Sequence, residues 1–327
     1  MTNISHIKTA KKLLLASLLP AMMLTGCGGG DSSSGTGTLS LSLTDAPIDD
    51  AKEVTVAFTG VAIRQDLDDE SSWIEFDFAQ EQSINLLDLQ GSQRVSLLTG
   101  EDLPAGTYSE IRLDINEANS YIVLNDGQDT TDQLDVPSGS TSGLKVKGTL
   151  VVPESGDAAF TIDFDVRKSI VAQGNGDYKL KPVLRIEQDN TIGHISGTVA
   201  PELLTSGASW TCSDEDPDTY NSAYVYAGTD VTPVDISGSV DDPVTTALVA
   251  YNPDTQAYEF EVGYLSEGPY TVAFTCNADQ DLVESAETIE FNSQVNAAVV
   301  AGQTTTVTLE APVEPAPEPA PEPAPAP

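Results

Sequence analysis

The sequence predicts an all-β protein with two antiparallel β-sandwich domains in tandem. Three observations lead to this prediction. Apolar and polar residues alternate along many short segments, amphipathic helical patterns are scarce, and turn sequences such as Asn125-Asp126-Gly127 separate the segments. Alternation with a period of two gives a strand one buried and one solvated face, as in antiparallel sheets. Many short strands joined by such turns are typical of sandwiches and barrels.

Residues 1–26 have the pattern of a lipoprotein signal peptide. Their basic residues come first: Lys8, Lys11 and Lys12. The apolar run 13–24 is about a dozen residues long, whereas a spanning helix needs roughly 20. The run ends in Leu24-Thr25-Gly26-Cys27, which resembles the bacterial lipobox. The resemblance implies cleavage before Cys27 and acylation of its thiol; an ordinary secretory signal is the alternative.

The two ends of the mature chain are predicted to be disordered. Residues 27–37 are rich in Gly and Ser, as flexible tethers are. Gly28 follows the cysteine, and by resemblance to Gram-negative lipoproteins the absence of Asp there implies sorting to the outer membrane, on its periplasmic or cell-surface side. The membrane, reached through the lipid, is then a partner. Residues 311–327 alternate Pro with Ala and Glu, which favours an extended polyproline II tail.

The chain is strongly acidic, with 51 acidic and 14 basic residues and a net charge of −37. Three basic residues leave with the signal peptide, so the mature charge is 11 − 51 = −40. Such a chain repels nucleic acid, and we exclude that class of partner. No Lys or Arg follows Arg185. A shift in charge of this kind marks a domain boundary, which predicts domains at 38–190 and 191–310.

The first domain shows the clearest alternation. The apolar positions change phase at Gly60, which predicts a β-bulge there. The stretch 84–98 fits either a short helix or an irregular connection. The strands predicted from alternation are 39–43, 54–58, 61–63, 111–115 and 160–166.

The second domain has about 120 residues with six or seven strands, the size of an immunoglobulin-like or transthyretin-like sandwich. The sequence Leu-x-x-Gly-x-Tyr occurs at 103–108 and again at 265–270, each time before a strand. This repetition supports two similar folds. The strands predicted here are 195–199, 223–227, 258–262, 270–276, 288–291 and 304–309.

The first domain also resembles a known family. Leu-Ser-Leu-Thr44-Asp45-Ala46-Pro47, the Val/Phe strand after it, and the segment 103–108 resemble a family of bacterial lipoproteins called domain of unknown function 4382. The resemblance covers roughly residues 37–188 and implies no activity. The region from His194 is similar to carboxypeptidase-regulatory or transthyretin-like β-sandwiches, and this similarity implies a spacer or a binding module.

The cysteines fit an exported protein. With Cys27 acylated, Cys212 and Cys276 remain, and an even pair in an oxidising compartment predicts a disulfide. Two thiols without a nearby histidine are too few ligands for a zinc site.

The sequence offers few groups for catalysis. His6 leaves with the signal peptide, so His194 is the one histidine available as a base, and no Gly-x-Ser-x-Gly motif accompanies it. Paired carboxylates suited to glycoside hydrolysis are abundant, and this abundance makes any one pair uninformative. We therefore predict no catalytic residues and no enzymatic activity, with a hydrolase as a disfavoured alternative.

One acidic segment is a candidate calcium loop. Asp214, Asp216 and Asp218 place carboxylates at alternate positions, as at the start of such a loop. However, Thr219 replaces the glycine that an EF-hand requires, and Val225 occupies the position of its glutamate. We favour a solvated acidic loop, with calcium as the alternative. No other cofactor is expected.

Basic residues form a second candidate site. Six of them alternate with apolar neighbours on predicted strands: Lys145, Lys147, Arg167, Lys179, Lys181 and Arg185. Adjacent strands would align them into a strip for an anionic glycan or for the acidic second domain. Cross-strand pairing with Asp163 and Asp165 is the alternative, and we favour it.

Two functions follow from these observations. The first is a lipid-anchored binding or structural module of the cell envelope, with a glycan or an envelope protein as partner. The second is an accessory polysaccharide-binding lipoprotein, for which Trp73 and Trp210 are candidate stacking residues, although packing in a core or rim is the favoured role of both.

Overall fold

Two pairs of β-sheets make up the computed structural model, which describes residues 35–312 apart from 47, 49, 70, 138, 175 and 284, and apart from the side chains of 140 and 141. Strand accounts for 54% and helix for 7% of the chain, which confirms the all-β fold class. The predicted signal peptide, Cys27, most of the predicted tether and residues 313–327 lie outside the described residues. No helix among the described residues is long and apolar enough to cross a membrane.

The first sandwich is built from residues 36–188. Its strands are β1 (Thr36–Ala46), β2 (Ala51–Arg64), β3 (Ile74–Asn85), β4 (Val95–Pro104), β5 (Gly106–Ile115), β6 (Tyr121–Leu124), β7 (Thr131–Asp135), β8 (Leu144–Val152), β9 (Asp157–Asp165), β10 (Ile170–Ala172), β11 (Tyr178–Leu180) and β12 (Leu184–Gln188). Two four-residue helices are α1 (Gly139–Ser142) and α2 (Val166–Ser169). One sheet has the order β12-β9-β1-β4, and the other has the order β10-β11-β7-β6-β2-β5-β8, with β3 also paired to β2.

The apolar residues of the alternating segments form the core of this sandwich. Leu39, Leu41 and Leu43 on β1 are fully buried, and the central apolar residues of β2 and β9 are buried as well. The predicted bulge is confirmed, because the pairing of β2 with both β3 and β5 shifts register between Phe58 and Gly60. A side chain at position 60 would place its Cβ 2.9 Å from the Phe76 carbonyl oxygen, which accounts for the glycine.

The stretch 84–98 combines both of the possibilities left open by the sequence. A 3₁₀ helix spans Leu86–Leu89, and the Asn85 side chain caps it by accepting a hydrogen bond from the Leu87 amide. Leu86 is fully buried in the core, whereas an irregular segment follows before β4 begins.

The second sandwich is built from residues 192–309. Its strands are β13 (Ile192–Val199), β14 (Ser222–Ala227), β15 (Thr245–Leu248), β16 (Ala250–Asn252), β17 (Ala257–Ser266), β18 (Gly268–Thr275), β19 (Ser293–Val299) and β20 (Thr304–Leu309). Its two sheets have the orders β16-β17-β13-β20 and β15-β14-β18-β19. The chain passes from the first pair of sheets to the second between Gln188 and Ile192.

One predicted strand in this half is wrong. Residues 288–291 are irregular, and the strand next to β18 is β19 instead. The irregular segment is held by other contacts: the Glu290 carbonyl accepts a hydrogen bond from the Thr275 hydroxyl, and the Glu290 carboxylate accepts one from the Thr211 amide. The short strands β15 and β16 were not predicted.

The repeated Leu-x-x-Gly-x-Tyr sequence makes the same contact in both sandwiches. The Tyr108 hydroxyl donates to the Pro104 carbonyl at 2.8 Å, and the Tyr270 hydroxyl donates to the Ser266 carbonyl at 2.9 Å. Each tyrosine is buried near the start of a strand. Its hydroxyl reaches the carbonyl of the residue four positions earlier, in the preceding turn. The glycine in each motif begins the strand, β5 in one case and β18 in the other.

The predicted disulfide is present between Cys212 and Cys276, whose Cα atoms are 5.2 Å apart. It connects the irregular segment before β14 to the end of β18, and both cysteines are buried. The bond closes a loop of 64 residues, so it restricts the unfolded second sandwich considerably.

Replacing both Cys212 and Cys276 by Ser is expected to lower the free energy of unfolding by about 4 kcal/mol, because the unfolded loop regains its conformational entropy. Urea unfolding followed by circular dichroism measures the change. The wild-type protein in excess reductant provides the matched control and should lose the same amount. Equal midpoints for oxidised and reduced wild-type protein would contradict the prediction.

Candidate functional site

The two sandwiches are joined through buried and half-buried cations of the first one. Arg185 on β12 contacts the Asp163 carboxylate at 2.6 Å, and the two residues are direct partners across β9 and β12. The same guanidinium contacts Glu187 at 3.1 Å and donates to the Tyr264 carbonyl of the second sandwich at 3.0 Å. Arg185 therefore connects the edge of one sandwich to strand β17 of the other.

The short helix α2 supplies two more cations. Arg167 is 6% exposed and donates to the Tyr224 hydroxyl at 3.0 Å and to the Ala278 carbonyl at 2.6 Å. The Lys168 ammonium donates to the carbonyls of Pro243 and Val244, at 2.5 and 2.9 Å. All four acceptors belong to the second sandwich.

The Tyr224 hydroxyl extends this network to a buried carboxylate. It donates to Asp281 at 2.6 Å, and Asp281 also accepts a hydrogen bond from the Ile236 amide. Burial raises the pKa of Asp281, although the hydrogen bond from Tyr224 and the charge of Arg167 act in the opposite direction. Burial also raises the pKa of Tyr224 well above its ordinary value, so the phenol stays protonated and serves as a donor.

Three carboxylates of the first sandwich are buried at the same junction: Asp45, Asp163 and Asp165. Asp165 accepts a hydrogen bond from the Lys168 amide, which starts helix α2, and its carboxylate lies 3.0 Å from the Lys168 ammonium. Burial raises the pKa of Asp45 well above its usual range. The hydrogen bond from the Val166 amide opposes this shift, and the charges of Asp163 and Asp165 add to it.

A cleft of about 550 Å³ lies beside the network and is lined by both sandwiches. The first sandwich contributes Ile122 and Tyr178, the second contributes Tyr220 and Leu282, and Arg167 also lines it. Burial, and the negative charges of Asp50, Asp132 and Asp126, raise the pKa of Tyr178. Clefts of 300–1,000 Å³ between domains, mostly apolar with a few polar groups, are the usual form of ligand sites.

Tyr220 holds an uncommon backbone conformation at this cleft. Its φ angle is +54°, in the left-handed region that non-glycine residues seldom adopt. Such residues cluster at binding and active sites because the surrounding structure has to stabilise them. The next residue, Asn221, is buried and donates to the carbonyls of Pro217 and Thr219, which fixes the chain on both sides.

The six basic residues of the predicted strip are not brought together. Lys145 and Lys147 lie on β8 and Lys179 lies on β11, with four other strands between β8 and β11 in the sheet order. At about 4.8 Å per strand, these lysines are separated by roughly 24 Å. Lys181 follows β11, whereas Arg167 and Arg185 enter the junction described above.

Two contacts considered in the sequence analysis do form. Arg185 makes the favoured cross-strand pair with Asp163. Arg167 and Arg185 dock onto the acidic second sandwich, mostly through carbonyl and hydroxyl oxygens rather than carboxylates. Lys179 pairs with Asp135 at 3.4 Å, so it too has an acidic neighbour.

Two of the three carboxylates of the candidate calcium loop, Asp214 and Asp216, accept hydrogen bonds from the loop itself. The Asp216 amide donates to Asp214 at 3.0 Å, and the Asp218 amide donates to Asp216 at 3.1 Å. Among the described residues, the group of three carboxylates whose oxygens lie within 4.8 Å of one another is not in this loop. It consists of Asp235, Asp281 and Glu287. Those three also accept backbone or hydroxyl hydrogen bonds, from the Glu287, Ile236 and Leu282 amides and from Tyr224.

The two tryptophans are in different sandwiches and do not form one platform. Cations surround Trp73, with Arg64, Arg112 and Lys145 at 4.6, 4.9 and 5.6 Å from its ring. The Trp210 indole donates to the Thr205 carbonyl, and its ring packs on Gly207. The aromatic residues that line the 550 Å³ cleft are Tyr178 and Tyr220.

His194 takes part in packing at the junction. Its ring makes an edge contact with Tyr264, with centroids 5.5 Å apart. The Nδ1 atom is buried without a hydrogen-bond partner among the described residues.

Comparison with known families identifies the first sandwich. Residues 36–182 match the family described as "Domain of unknown function (DUF4382)", which confirms the resemblance stated for 37–188. This part of the chain contains β1 to β11 and helix α2, and thus one wall of the cleft. No curated protein matches the sequence.

Solved structures align along most of the chain but with low similarity. The minor pilin GBS52 of Streptococcus agalactiae aligns with a TM-score of 0.21 and 10% identity, over 85% of this chain and 98% of the pilin. The shaft pilin spaA of Lactobacillus rhamnosus GG gives 0.18 and 10%, over 85% and 100%. The Bacillus anthracis TIE protein gives 0.19 and 11% over 85% of this chain, which spans about a third (34%) of that protein's length. TM-scores near 0.2 do not establish a common topology.

Replacing Tyr224 by Phe is expected to lower the free energy of unfolding by about 1–3 kcal/mol, because Arg167 and Asp281 lose a shared buried partner. Tyr251→Phe is the matched control, since this tyrosine is 47% exposed. Urea unfolding monitored by fluorescence measures both variants. Equal midpoints for Tyr224→Phe and Tyr251→Phe would show that the hydroxyl does not stabilise the junction.

Proposed function

We propose that this chain is a lipid-anchored, non-catalytic binding and structural module of the bacterial outer membrane, on its periplasmic or cell-surface side. The observation that carries the proposal is the cleft of about 550 Å³ at the junction of the sandwiches. A network of buried hydrogen bonds beside it connects the two walls. A ligand of the envelope, a glycan or a protein segment, binds between them.

The walls of the cleft favour a neutral or cationic ligand. Arg167 is the single Lys or Arg among its lining residues, and its guanidinium already donates to Tyr224 and Ala278. Asp50, Asp126 and Asp279 line the same cleft, in a chain whose net charge is −37. An anionic ligand would therefore be repelled.

The position of His194 supports a non-catalytic role. It is the one histidine in the sequence beyond residue 6. A general base has to reach the proton that it abstracts, at about 2.6–3.2 Å. The His194 ring is packed against Tyr264 between the sandwiches and does not line the 550 Å³ cleft.

Anchoring is proposed from the lipobox-like sequence that ends in Cys27 and the Gly/Ser segment after it. Cys27→Ser is expected to abolish incorporation of labelled palmitate and to move the protein from the membrane fraction to the soluble fraction, because a single signal sequence without acyl chains gives no stable anchor. Cys212→Ser is the control and should retain the label. Label retained in Cys27→Ser would contradict lipid anchoring at this residue.

Polysaccharide binding is the second candidate, and the two tyrosines of the cleft favour it. Tyrosine presents a rigid apolar face together with a hydroxyl group, which suits the faces and edges of sugar rings. Tyr178 and Tyr220 line the cleft from different sandwiches, so a bound saccharide would contact both.

Tyr178→Ala is expected to weaken the binding of neutral oligosaccharides about fivefold or more, because an aromatic contact worth about 1 kcal/mol is lost. Isothermal titration with a panel of neutral hexasaccharides measures this, with Tyr220→Ala as a second variant of the cleft. Tyr251→Ala removes a tyrosine outside the cleft and should bind as the wild type does. Affinity that is unchanged in both cleft variants would exclude glycan binding in this cleft.

A further inference from the structure

Strand β10 is a free edge of the larger sheet of the first sandwich. Among the described strands it pairs with β11 alone, and its residues Ile170–Ala172 all line the 550 Å³ cleft. Ala172 is exposed, so this edge is accessible to another chain. The edge of a sheet presents unpaired N–H and C=O groups, with which an extended segment can form one more strand.

The hydrogen-bond pattern shows which groups of β10 face away from β11. The Gln173 amide donates to the Asp177 carbonyl at 2.8 Å, in the pair that follows Ala172. Bonded and non-bonded pairs alternate along an antiparallel ladder, so the backbone groups of Ala172 and Ile170 point away from β11. The Ile170 amide donates to the Val166 carbonyl of α2. The N–H and C=O of Ala172 and the C=O of Ile170 have no hydrogen-bond partner among the described residues.

The groups around this edge are mostly apolar. Ile122 and Tyr178 line the cleft from the first sandwich, and Leu282 and Tyr220 line it from the second. Leu282 is 59% exposed, whereas most leucines of the chain are buried. Burial of apolar surface favours association, so apolar side chains of an added strand would be stabilised against these residues.

The exposed charges of the cleft are negative. Asp50, Asp126 and Asp279 line it and are exposed. Arg167 is the one Lys or Arg among the lining residues, but it is buried and its guanidinium already donates to the Tyr224 hydroxyl. An added strand with Lys or Arg side chains is therefore attracted, and an acidic one is repelled.

These properties exclude two occupants that the chain itself could supply. A second copy would bring the same aspartates, Asp50, Asp126 and Asp279, to the same edge. The segment 313–327 of this chain has Glu among its residues and Pro at about every second position. Proline has no amide hydrogen, so this segment lacks the donors that pairing with a strand edge requires.

We infer that the cleft binds an extended, basic segment of another protein, which pairs with β10 as one more strand of the sheet. The inference rests on the proposed function, because it names the ligand of the proposed cleft. Main-chain hydrogen bonds to Ala172 and Ile170 align the segment, and its apolar side chains contact Tyr178 and Leu282. Its Lys or Arg side chains pair with the exposed aspartates of the cleft.

Titration calorimetry of the protein with a synthetic peptide tests the inference. The probe is a capped peptide of seven residues that alternates valine with lysine, and the control peptide has glutamate in place of lysine. We expect one lysine peptide to bind per chain, and the glutamate peptide to bind about tenfold more weakly or not at all, because its charges are repelled.

Ala172→Pro tests the pairing with β10. It removes the amide that the added strand needs, and proline is tolerated at an edge position whose N–H faces away from the sheet. The affinity for the lysine peptide should fall about fivefold or more, because a carbonyl of the peptide loses its donor. Ala172→Val is the matched control, since it keeps the amide, and it should bind as the wild type does.

Asp279→Asn tests the role of charge. It should lower the affinity for the lysine peptide about twofold to fivefold, as expected for one exposed ion pair. Asp216→Asn makes the same change in net charge outside the cleft and should bind as the wild type does. Equal affinities of these two variants would overturn the inference.

Equal affinities of the two peptides, or of Ala172→Pro and Ala172→Val, would also overturn it. If Ala172→Pro fails to fold, hydrogen exchange of the wild-type protein decides. The lysine peptide should slow exchange of the Ala172 amide about tenfold or more, because that amide becomes hydrogen-bonded, and unchanged exchange would overturn the inference. If neutral hexasaccharides bind in the cleft and the peptide does not, the inference fails and the proposed function stands. If neither binds there, both fail.

Discussion

The interaction on which the structure depends is the insertion of Arg167, Lys168 and Arg185 into the second sandwich. Each loses most of its contact with water, and removing a cation from water costs several kcal/mol unless hydrogen bonds replace its hydration. The replacement comes from backbone carbonyls, the Tyr224 hydroxyl and buried carboxylates. Because each of these hydrogen bonds requires a particular geometry, together they favour one relative position of the two sandwiches.

The cleft is a consequence of that position. It has Tyr178 on one side and Tyr220 on the other, so it does not exist in a single sandwich. The family match ends at residue 182, before the second sandwich begins. The proposed ligand site is therefore a property of this pair of sandwiches, and no ligand can be transferred to it from the family segment alone.

Features of the fold that depend on residues close together in the sequence could be predicted, whereas features that depend on distant residues could not. Alternation at Leu39, Leu41 and Leu43, the phase change at Gly60, and the cysteine pair are local or nearly unique signals, and the structure has all three. Strand order is not local. Alternation states which face a lysine is on but not which strand is next to it, so it does not show that four strands separate Lys145 from Lys179. For the same reason the sequence suggests docking of the basic residues onto the second sandwich only as one alternative, without showing that Arg167 and Arg185 are the ones that dock.

The charge distribution nevertheless contained a signal for the junction. Seven of the 11 basic residues after residue 26 lie between Lys145 and Arg185, and none follows. That asymmetry indicates a domain boundary, and it also has a second physical consequence. A sandwich without any Lys or Arg has no cation of its own for the buried Asp281, or for carbonyls such as that of Ala278 at its edge. Asp281 accepts hydrogen bonds from Tyr224 and Ile236 of its own sandwich, whereas the carbonyls of Ala278 and Tyr264 accept theirs from Arg167 on α2 and Arg185 on β12 of the preceding one. The second sandwich lacks Lys and Arg, and the end of the first sandwich is rich in them. These two surfaces contact each other at the interface.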